Sequence, residues 1–336
     1  MKMTTLCYLE KQDSYLMLHR IVKKDDVNKD KWIGVGGHVE EGESPEDCVM
    51  REVKEETGLS IHNYRFRGLV TFVSNRYGTE YMCLYTSNDF SGEMVSCNEG
   101  VLEWVAKNKV MSLNLWEGDK LMFELLDSRK DFFSLKLVYE EEDLVKAYVD
   151  GKEREFFDVI DDKGNPTGRR KERSLAHREG TLHKTAHVWI VRPNEYNTFD
   201  VLLQKRSRSK DSDPGCYDIS SAGHILAGTK MLPSALRELK EELGIQAMLS
   251  DLTFCFWQER NMETEFYGKP FIDHELSGVY IYDKPIDIAS LKLQEDEVEE
   301  VVWMEYEECL AHVIAQDPKF CIMEEEFIKL KRYVKF

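Results

Sequence analysis

The sequence predicts two α/β domains in series, each a mixed β-sheet with helices on its faces in an α/β/α sandwich. Three observations lead there. The chain has 336 residues, more than one hydrophobic core usually serves. A string of glycines, an arginine and glutamates occurs twice: Gly37, Glu43, Arg51-Glu52-Val53, Glu55-Glu56 and Gly58-Leu59, then, 186 positions on, Gly223, Thr229, Arg237-Glu238-Leu239, Glu241-Glu242 and Gly244-Ile245. A fixed offset of that size marks a repeated structural unit. Each string also follows short strand-like runs and carries a helix start and stop. The boundary is placed near Asp150-Gly151, giving domains 1–150 and 151–336.

In the first domain, Thr4 to Leu9 and Tyr15 to Leu18 read as strands around the polar turn Lys11-Gln12-Asp13. Ser44-Pro45-Glu46-Asp47 starts a helix, with a hydroxyl cap, proline at its first position and acids in its first turn, and Gly58 ends it. Leu69 to Val73, Tyr81 to Tyr85, Leu102 to Val105 and Leu144 to Val149 read as strands, and Leu115 to Leu126 as an amphipathic helix. In the second domain, Phe157 to Ile160, a turn at Asp162-Lys163-Gly164-Asn165-Pro166, His187 to Val191 and Val201 to Gln204 repeat the strand-rich opening. Tyr217 to Ser220 enters the second string, Pro233 to Leu243 is its helix, and Gly278 to Tyr282 and Val301 to Met304 resume the sheet.

Composition narrows the function. Residues 1–150 carry 19 basic and 28 acidic side chains and residues 151–336 carry 26 and 35, so neither half coats a nucleic-acid polymer. A small phosphorylated substrate still binds such a surface when divalent metal bridges carboxylates to phosphates. The eight cysteines show no Cys-x-x-Cys pair, and no run of eighteen apolar residues occurs. Free thiols, no membrane span and a cytoplasmic location are expected. A homodimer is compatible with this composition.

The helical glutamates carry the chemistry. Glu52, Glu55 and Glu56 stand at i, i+3 and i+4, which puts three carboxylates on one helix face. Like charges at that spacing cost about 0.2–0.5 kcal/mol per pair. A hard cation such as Mg²⁺ reverses the sign, because it takes carboxylate oxygens and keeps positions open for phosphate and water. The alternative is a solvated acidic face, which accounts for an isolated Glu-Glu pair but not for the whole string. Arg51 pairs with a carboxylate and orients it, and Glu43 either supports that arginine or joins the metal shell.

These residues form a complete Nudix box, and the first half resembles the MutT-like Nudix hydrolases typified by 8-oxo-dGTP diphosphatase. Lys31-Trp32-Ile33-Gly34-Val35-Gly36-Gly37 resembles that family's entry into the box, and Trp116-Glu117-Gly118-Asp119 resembles its Trp-Pro-Asp-Asp segment. The resemblance implies a metal site of Gly37, Glu52, Glu55, Glu56 and Glu99, with Arg51 beside the catalytic glutamates. It also implies a substrate site of Trp32, Ile33, Gly36, Gly37, Trp116 as base platform and Asp119 as base reader. Ile33 and Gly118 depart from the family's asparagine and first aspartate. Read without the resemblance, Trp116 is a core tryptophan on an amphipathic helix.

The second half resembles the Nudix branch related to isopentenyl-diphosphate isomerase, through Leu203-Gln204-Lys205-Arg206-Ser207 and Asp218-Ile219-Ser220-Ser221-Ala222-Gly223-His224. Ala222 stands where an isomerase has its cysteine, and Cys216 lies too far upstream, so hydrolysis is the expected chemistry. Arg237, Glu238, Glu241 and Glu242 are the catalytic candidates, the three glutamates with Glu297 the metal candidates, and Lys205 and Arg206 candidate phosphate contacts, with Arg208 and Lys210 nearby. Lys205 and its neighbours also read as a solvated basic loop. Thr229 takes the place of the box glutamate, and His183 and His187 are similar to the histidine-bearing metal site of the isomerases, against a hydrogen-bonding role. The expected function is hydrolysis of an oxidised purine nucleoside triphosphate to monophosphate and pyrophosphate with Mg²⁺ or Mn²⁺. The rival is a broad nucleoside-diphosphate-X hydrolase whose second half only binds ligand or dimerises.

Overall fold

A computed structural model describes residues 2–22, 26–196, 198–210, 212–266 and 268–335. The chain divides into two compact units, Met1–Arg154 and Glu155–Phe336.

The first unit runs β1 (Lys2–Lys11), β2 (Ser14–His19), β3 (Trp32–Ile33), α1 (Pro45–Thr57), β4 (Ser60–Ser74), β5 (Gly78–Ser91), β6 (Val101–Ala106), α2 (Lys107–Val110), α3 (Glu117–Ser128), β7 (Phe133–Glu140), β8 (Asp143–Val149) and β9 (Lys152–Glu153). Among the described residues the strands form a mixed sheet in the order β3-β2-β1-β5-β4-β7-β8-β9, with β6 on β2. Its centre is β1, parallel to β5 and joined to β2 through Glu10↔Tyr15. The glycine segment runs along β1 as well: Cys7 donates N–H to Val35 at 2.7 Å and Thr5 donates to Gly37 at 2.9 Å. Such closeness requires glycine, since a Cβ at Gly36 would sit 2.0 Å from the Thr5 carbonyl oxygen.

Helix α1 follows its sequence signals. Ser44 and Asp47 cap one another reciprocally, Pro45 occupies the first turn and Gly58 closes the helix at φ 76°. Val49 and Val53 bury against Cys7, Leu9, Leu16 and Val35 from the sheet, each contributing about 1.5–3 kcal/mol. On the same helix Arg51, Glu52 and Glu56 reach the glycine segment at His38, Gly37 and Gly36, while Glu55 stays largely exposed beside Arg51. The helix expected over 115–126 begins later, with Trp116 extended at its N-cap. The sequence reading places no strand at β7, although its residues alternate buried and exposed.

The second unit runs β10 (Phe156–Ile160), β11 (Pro166–Glu172), α4 (Arg173–Glu179), β12 (His183–Pro193), β13 (Phe199–Arg206), β14 (Tyr217–Asp218), β15 (Ser221–His224), α5 (Met231–Leu243), β16 (Leu252–Phe266), β17 (Lys269–Tyr282), β18 (Val298–Glu305), α6 (Tyr306–Ile314) and α7 (Glu324–Leu330). Its sheet has the order β14-β13-β12-β17-β16, with β15 on β12 and β18 on β13. The repeat thus extends to connectivity: β12 pairs parallel with β17 as β1 does with β5, and β15 lies on β12 where the glycine segment lies on β1. The hairpin β10–β11 and the helix α4 precede this repeated core, and the sequence reading anticipates neither β11 nor α4. No described helix is long and apolar enough to cross a membrane, and all eight cysteines are free.

Candidate active site

In the first unit Arg51 organises the box. Its Nε and Nη2 donate to both oxygens of Glu43 at 2.6 and 3.0 Å, while Nη1 donates to Glu52 Oε1 at 2.8 Å and Glu55 Oε2 at 3.3 Å. The bidentate pair fixes the guanidinium plane, and the Glu43 carboxyl is held down at about 2 by its bonds to Arg51 and the Glu40 backbone. Glu52 lies directly against Gly37, where a Cβ would meet its Oε1 at 2.3 Å. Glu56 is buried, and its Oε2 accepts the Gly36 N–H at 3.1 Å. Burial, followed by the charges of Glu99 and Glu52, pushes its carboxyl up to about 8. Glu99 therefore joins the helical glutamates in space, from the loop before β6.

Arg20 is a neighbour of the candidate site that the sequence reading misses. It is ion-paired to Glu99 and, at 2.7 Å, to Asp26. The available signal lay in the repeat: Arg20 follows His19, the last residue of β2, at the position equivalent to Arg206 at the end of β13, and β2 and β13 each pair with the strand after the accessory glutamate.

The segment expected to read the base comes together around Trp116. Trp116 Nε1 donates to Asn28 Oδ1 at 2.9 Å, its ring meets Tyr139 edge-on at 5.8 Å, and the Lys31 ammonium lies 4.8 Å from its centroid. Asp119 is buried, and burial pushes its carboxyl up to about 7 against Lys31 and a bond from the Trp116 backbone. Gly118 is explained by packing: a Cβ there would lie 2.4 Å from Leu137 Cδ1 and 2.7 Å from the Tyr139 hydroxyl. Trp32 stacks on His19 at 4.4 Å, and Ile33 pairs with Leu18 in the sheet.

The second box repeats the device with one part changed. A Cβ on Gly223 would lie 2.2 Å from Glu238 Cδ, and Arg237 donates to Glu238 at 2.6 Å and Glu241 at 2.8 Å. Burial, with Glu241, Glu155 and Glu297 adding to it against Arg237, raises Glu238 to about 7. Burial also raises Glu242 to about 8, although it accepts the Ser221 hydroxyl at 2.6 Å. Glu297 acts on both glutamates and is ion-paired to Lys210, as Glu99 is to Arg20. Lys205 instead pairs with Glu299 and Glu300 at 3.0 and 3.2 Å, and Arg206 with Asp218 at 3.0 Å. Arg208 is turned to Glu299.

The two histidines singled out in the sequence separate. His187 Nδ1 lies 2.8 Å from Glu326 of α7, whose other oxygen accepts Trp189 Nε1. His183 joins His177, His224 and Glu275, whose ligand-type atoms all lie within 4.8 Å of one another. Phe157 is stacked on His183 at 4.5 Å and on His224 at 4.6 Å. Burial pushes His177 down to about 3 and lowers His224; His177 Nδ1 is buried without a hydrogen-bond partner among the described residues, and His183 Nε2 faces Glu275 Oε1 at 3.6 Å. Their spacing of six residues, with a third histidine in the second string, gives no periodic signal that sequence reading could have used.

A mixed sheet flanked by helices and carrying a glycine-cradled glutamate helix in each unit is the architecture of one enzyme family. The chain belongs to the Nudix family: the NUDIX domain matches residues 2–126 and 181–322. Nudix hydrolase 3 of Arabidopsis thaliana is 42% identical over 170 residues, 49% of this chain and 21% of that protein, so the chain spans about a fifth of that relative. The isopentenyl-diphosphate Delta-isomerase of Dinoroseobacter shibae is 30% identical over 51% of this chain and 82% of its own length. The oxidized purine nucleoside triphosphate hydrolase of Mus musculus is 27% identical over 38% of this chain and 81% of its own.

Proposed function

We propose that the first unit hydrolyses oxidised purine nucleoside triphosphates such as 8-oxo-dGTP to the monophosphate and pyrophosphate, in a reducing cytoplasm. The observation that carries this reading is Asp119, buried beside Trp116 with its carboxyl near 7. A carboxyl that exchanges a proton near neutrality both donates to and accepts from a purine edge, and the indole offers a stacking face worth about 1–3 kcal/mol per base. The mouse relative is named for this substrate class.

The donor set at the box fits a hard divalent cation, because the Gly37 cradle holds Glu52 beside carboxylates whose mutual repulsion it would relieve. Glu52, Glu55, Glu56 and Glu99 would hold Mg²⁺ or Mn²⁺, which supplies phosphate-charge neutralisation and a more acidic bound water. Arg51 keeps Glu52 and Glu55 oriented, and Arg20 keeps Glu99 in reach. Trp116 bears the base and Asp119 holds or releases the recognising proton.

The second unit is a pyrophosphohydrolase in its own right, with its substrate unassigned. Glu238, Glu241, Glu242 and Glu297 form its box site. His177, His183, His224 and Glu275 form a further cation site, supported by three imidazoles gathered beside one carboxylate, with His177 Nδ1 left unmatched among the described residues. Phosphate release across a nucleotide panel tests the whole reading. A higher kcat/KM for 8-oxo-dGTP than for dGTP, abolished by Glu52→Gln, supports it. Equal turnover of both, or turnover only of dinucleotides and nucleotide sugars, transfers the first unit to the nucleoside-diphosphate-X class. Glu238→Gln that changes assembly but no hydrolysis makes the second unit a binding or dimerising module.

A further inference from the structure

The two boxes differ in how the loop between their glycine and their helix is held. In the first, the loop is tied to its own helix. Glu43 Oε2 accepts the Glu40 N–H at 3.0 Å, the same carboxylate grips Arg51 with both oxygens, and Ser44 caps α1. In the second, among the described residues, the carboxylate bonds and the helix cap are missing. Thr229 Oγ1 donates to the Leu226 carbonyl at 2.6 Å and keeps one neutral tie forward to the Ser234 hydroxyl of α5 at 3.0 Å, while Lys230, the N-cap of α5, makes no side-chain cap. Arg237 is left with the glutamates of its own helix and, at 3.5 Å, the His224 carbonyl.

The loop is nonetheless fastened, by the hairpin that precedes the repeated core. Ala227 donates its N–H to the Phe156 carbonyl at 2.7 Å, Leu226 bridges to Phe157, and Gly228 donates its N–H to Asp158 Oδ2 at 2.7 Å. The other Asp158 oxygen faces Arg170 of β11 at 3.4 Å, and Arg170 leans over Gly228, where a Cβ would meet its Nη2 at 3.3 Å. These contacts fall on the residues equivalent to Glu40, Glu41 and Gly42 in the first box, immediately before the position at which glutamate is replaced.

We infer that the β10–β11 hairpin has taken over the task of the missing box glutamate, with Asp158 as the positioning residue that holds the Gly223–Lys230 loop and, through the Gly223 cradle and the His224 carbonyl, the Glu238 and Arg237 side chains. The absence of a carboxylate at position 229 is then a relocation of the main anchor from the arginine pair to the hairpin, and the second box keeps a pre-set geometry. Glu155, at the hairpin's start, adds a negative charge that acts on Arg237 and Glu238 from the same side. The inference rests on the reading of the second box as a cation site.

The test uses the full chain and two readouts: hydrogen exchange of the amides at 224–229, and Mn²⁺ titration followed by paramagnetic broadening of the α5 amides. Asp158→Ala is expected to speed exchange of the Gly228 amide and weaken Mn²⁺ at α5 by about 10–100-fold, the usual range for an outer-shell support. Asp158→Asn keeps an acceptor and retains both properties. Adding Thr229→Glu to Asp158→Ala restores the affinity, because the new carboxylate can grip Arg237 as Glu43 grips Arg51. Unchanged exchange and affinity in Asp158→Ala, or failure of Thr229→Glu to restore it, overturns the inference. Glu238→Gln run in parallel separates the two layers. If it leaves the broadening intact, the metal reading of the second box falls, and the exchange data still decide whether the hairpin is the anchor.

Discussion

Gly37 and Glu52 occupy one corner of the first unit: a Cβ on Gly37 would lie 2.3 Å from the Glu52 carboxylate oxygen. The glycine is there because a charged side chain takes the volume a methyl group would need, and Gly223 stands in the same relation to Glu238. Gly37→Ala is expected to displace Glu52 and reduce kcat/KM by at least about a hundredfold, with the melting temperature nearly unchanged. Steady-state kinetics beside a thermal scan checks this; retained activity would show that Glu52 works from another position.

Arg51 holds Glu43 with two parallel bonds and reaches Glu52 and Glu55 with its remaining amino group. A lysine keeps the charge and loses the fork. Arg51→Lys is therefore expected to weaken Mn²⁺ binding at the first box by about 10–100-fold, measured calorimetrically. Affinity equal to that of the parent chain would reduce Arg51 to a charge-balancing role.

Asp119 gives the first unit a pH signature. Its carboxyl is raised from the ordinary value of 3.8 to about 7 by burial, so the folded state binds its proton more tightly than the unfolded state. The associated stability is fully present below the ordinary value and is lost as pH rises through about 7. Asp119→Asn is expected to remove this decline, an effect of a few kcal/mol in order of magnitude, and to flatten the pH profile of KM for purine substrates. Parallel pH series of urea denaturation and kinetics check both parts; parent and variant curves that remain superimposable rule out the buried proton.

Glu326 pins α7 by accepting from both His187 and Trp189 at 2.8 Å. Burial opposes the His187 cation, but Glu326 outweighs it and holds the imidazole above its ordinary 6.5. The pair's contribution is therefore present below that value and is lost as pH rises through the elevated one. Glu326→Ala is expected to destabilise the second unit by about 3–5 kcal/mol at pH 6, read by chemical denaturation. A change below about 1 kcal/mol would place the imidazole in its neutral form.

The sequence by itself determined the repeat, the α/β class, the capped helix α1 and the three carboxylates on each box helix face. These follow from local periodicity and from spacing along one helix, where neighbours in space are neighbours in the chain. Ser44, Pro45 and Gly58 announced α1 in this way. Tertiary structure alone decided what β-strand pairing and loop closure bring together across long separations. Arg20 meets Glu99, and His177 and Glu275 meet His183 and His224. Within β12 His187 stands about 13 Å from His183, four residues along the strand, and tertiary packing gave each its own partners, Glu326 for one and Glu275 for the other. Asp158 reached the second box because a hairpin outside the repeat folds onto its loop. No pattern within the box encodes that contact, because its two partners have no fixed spacing for a sequence to display.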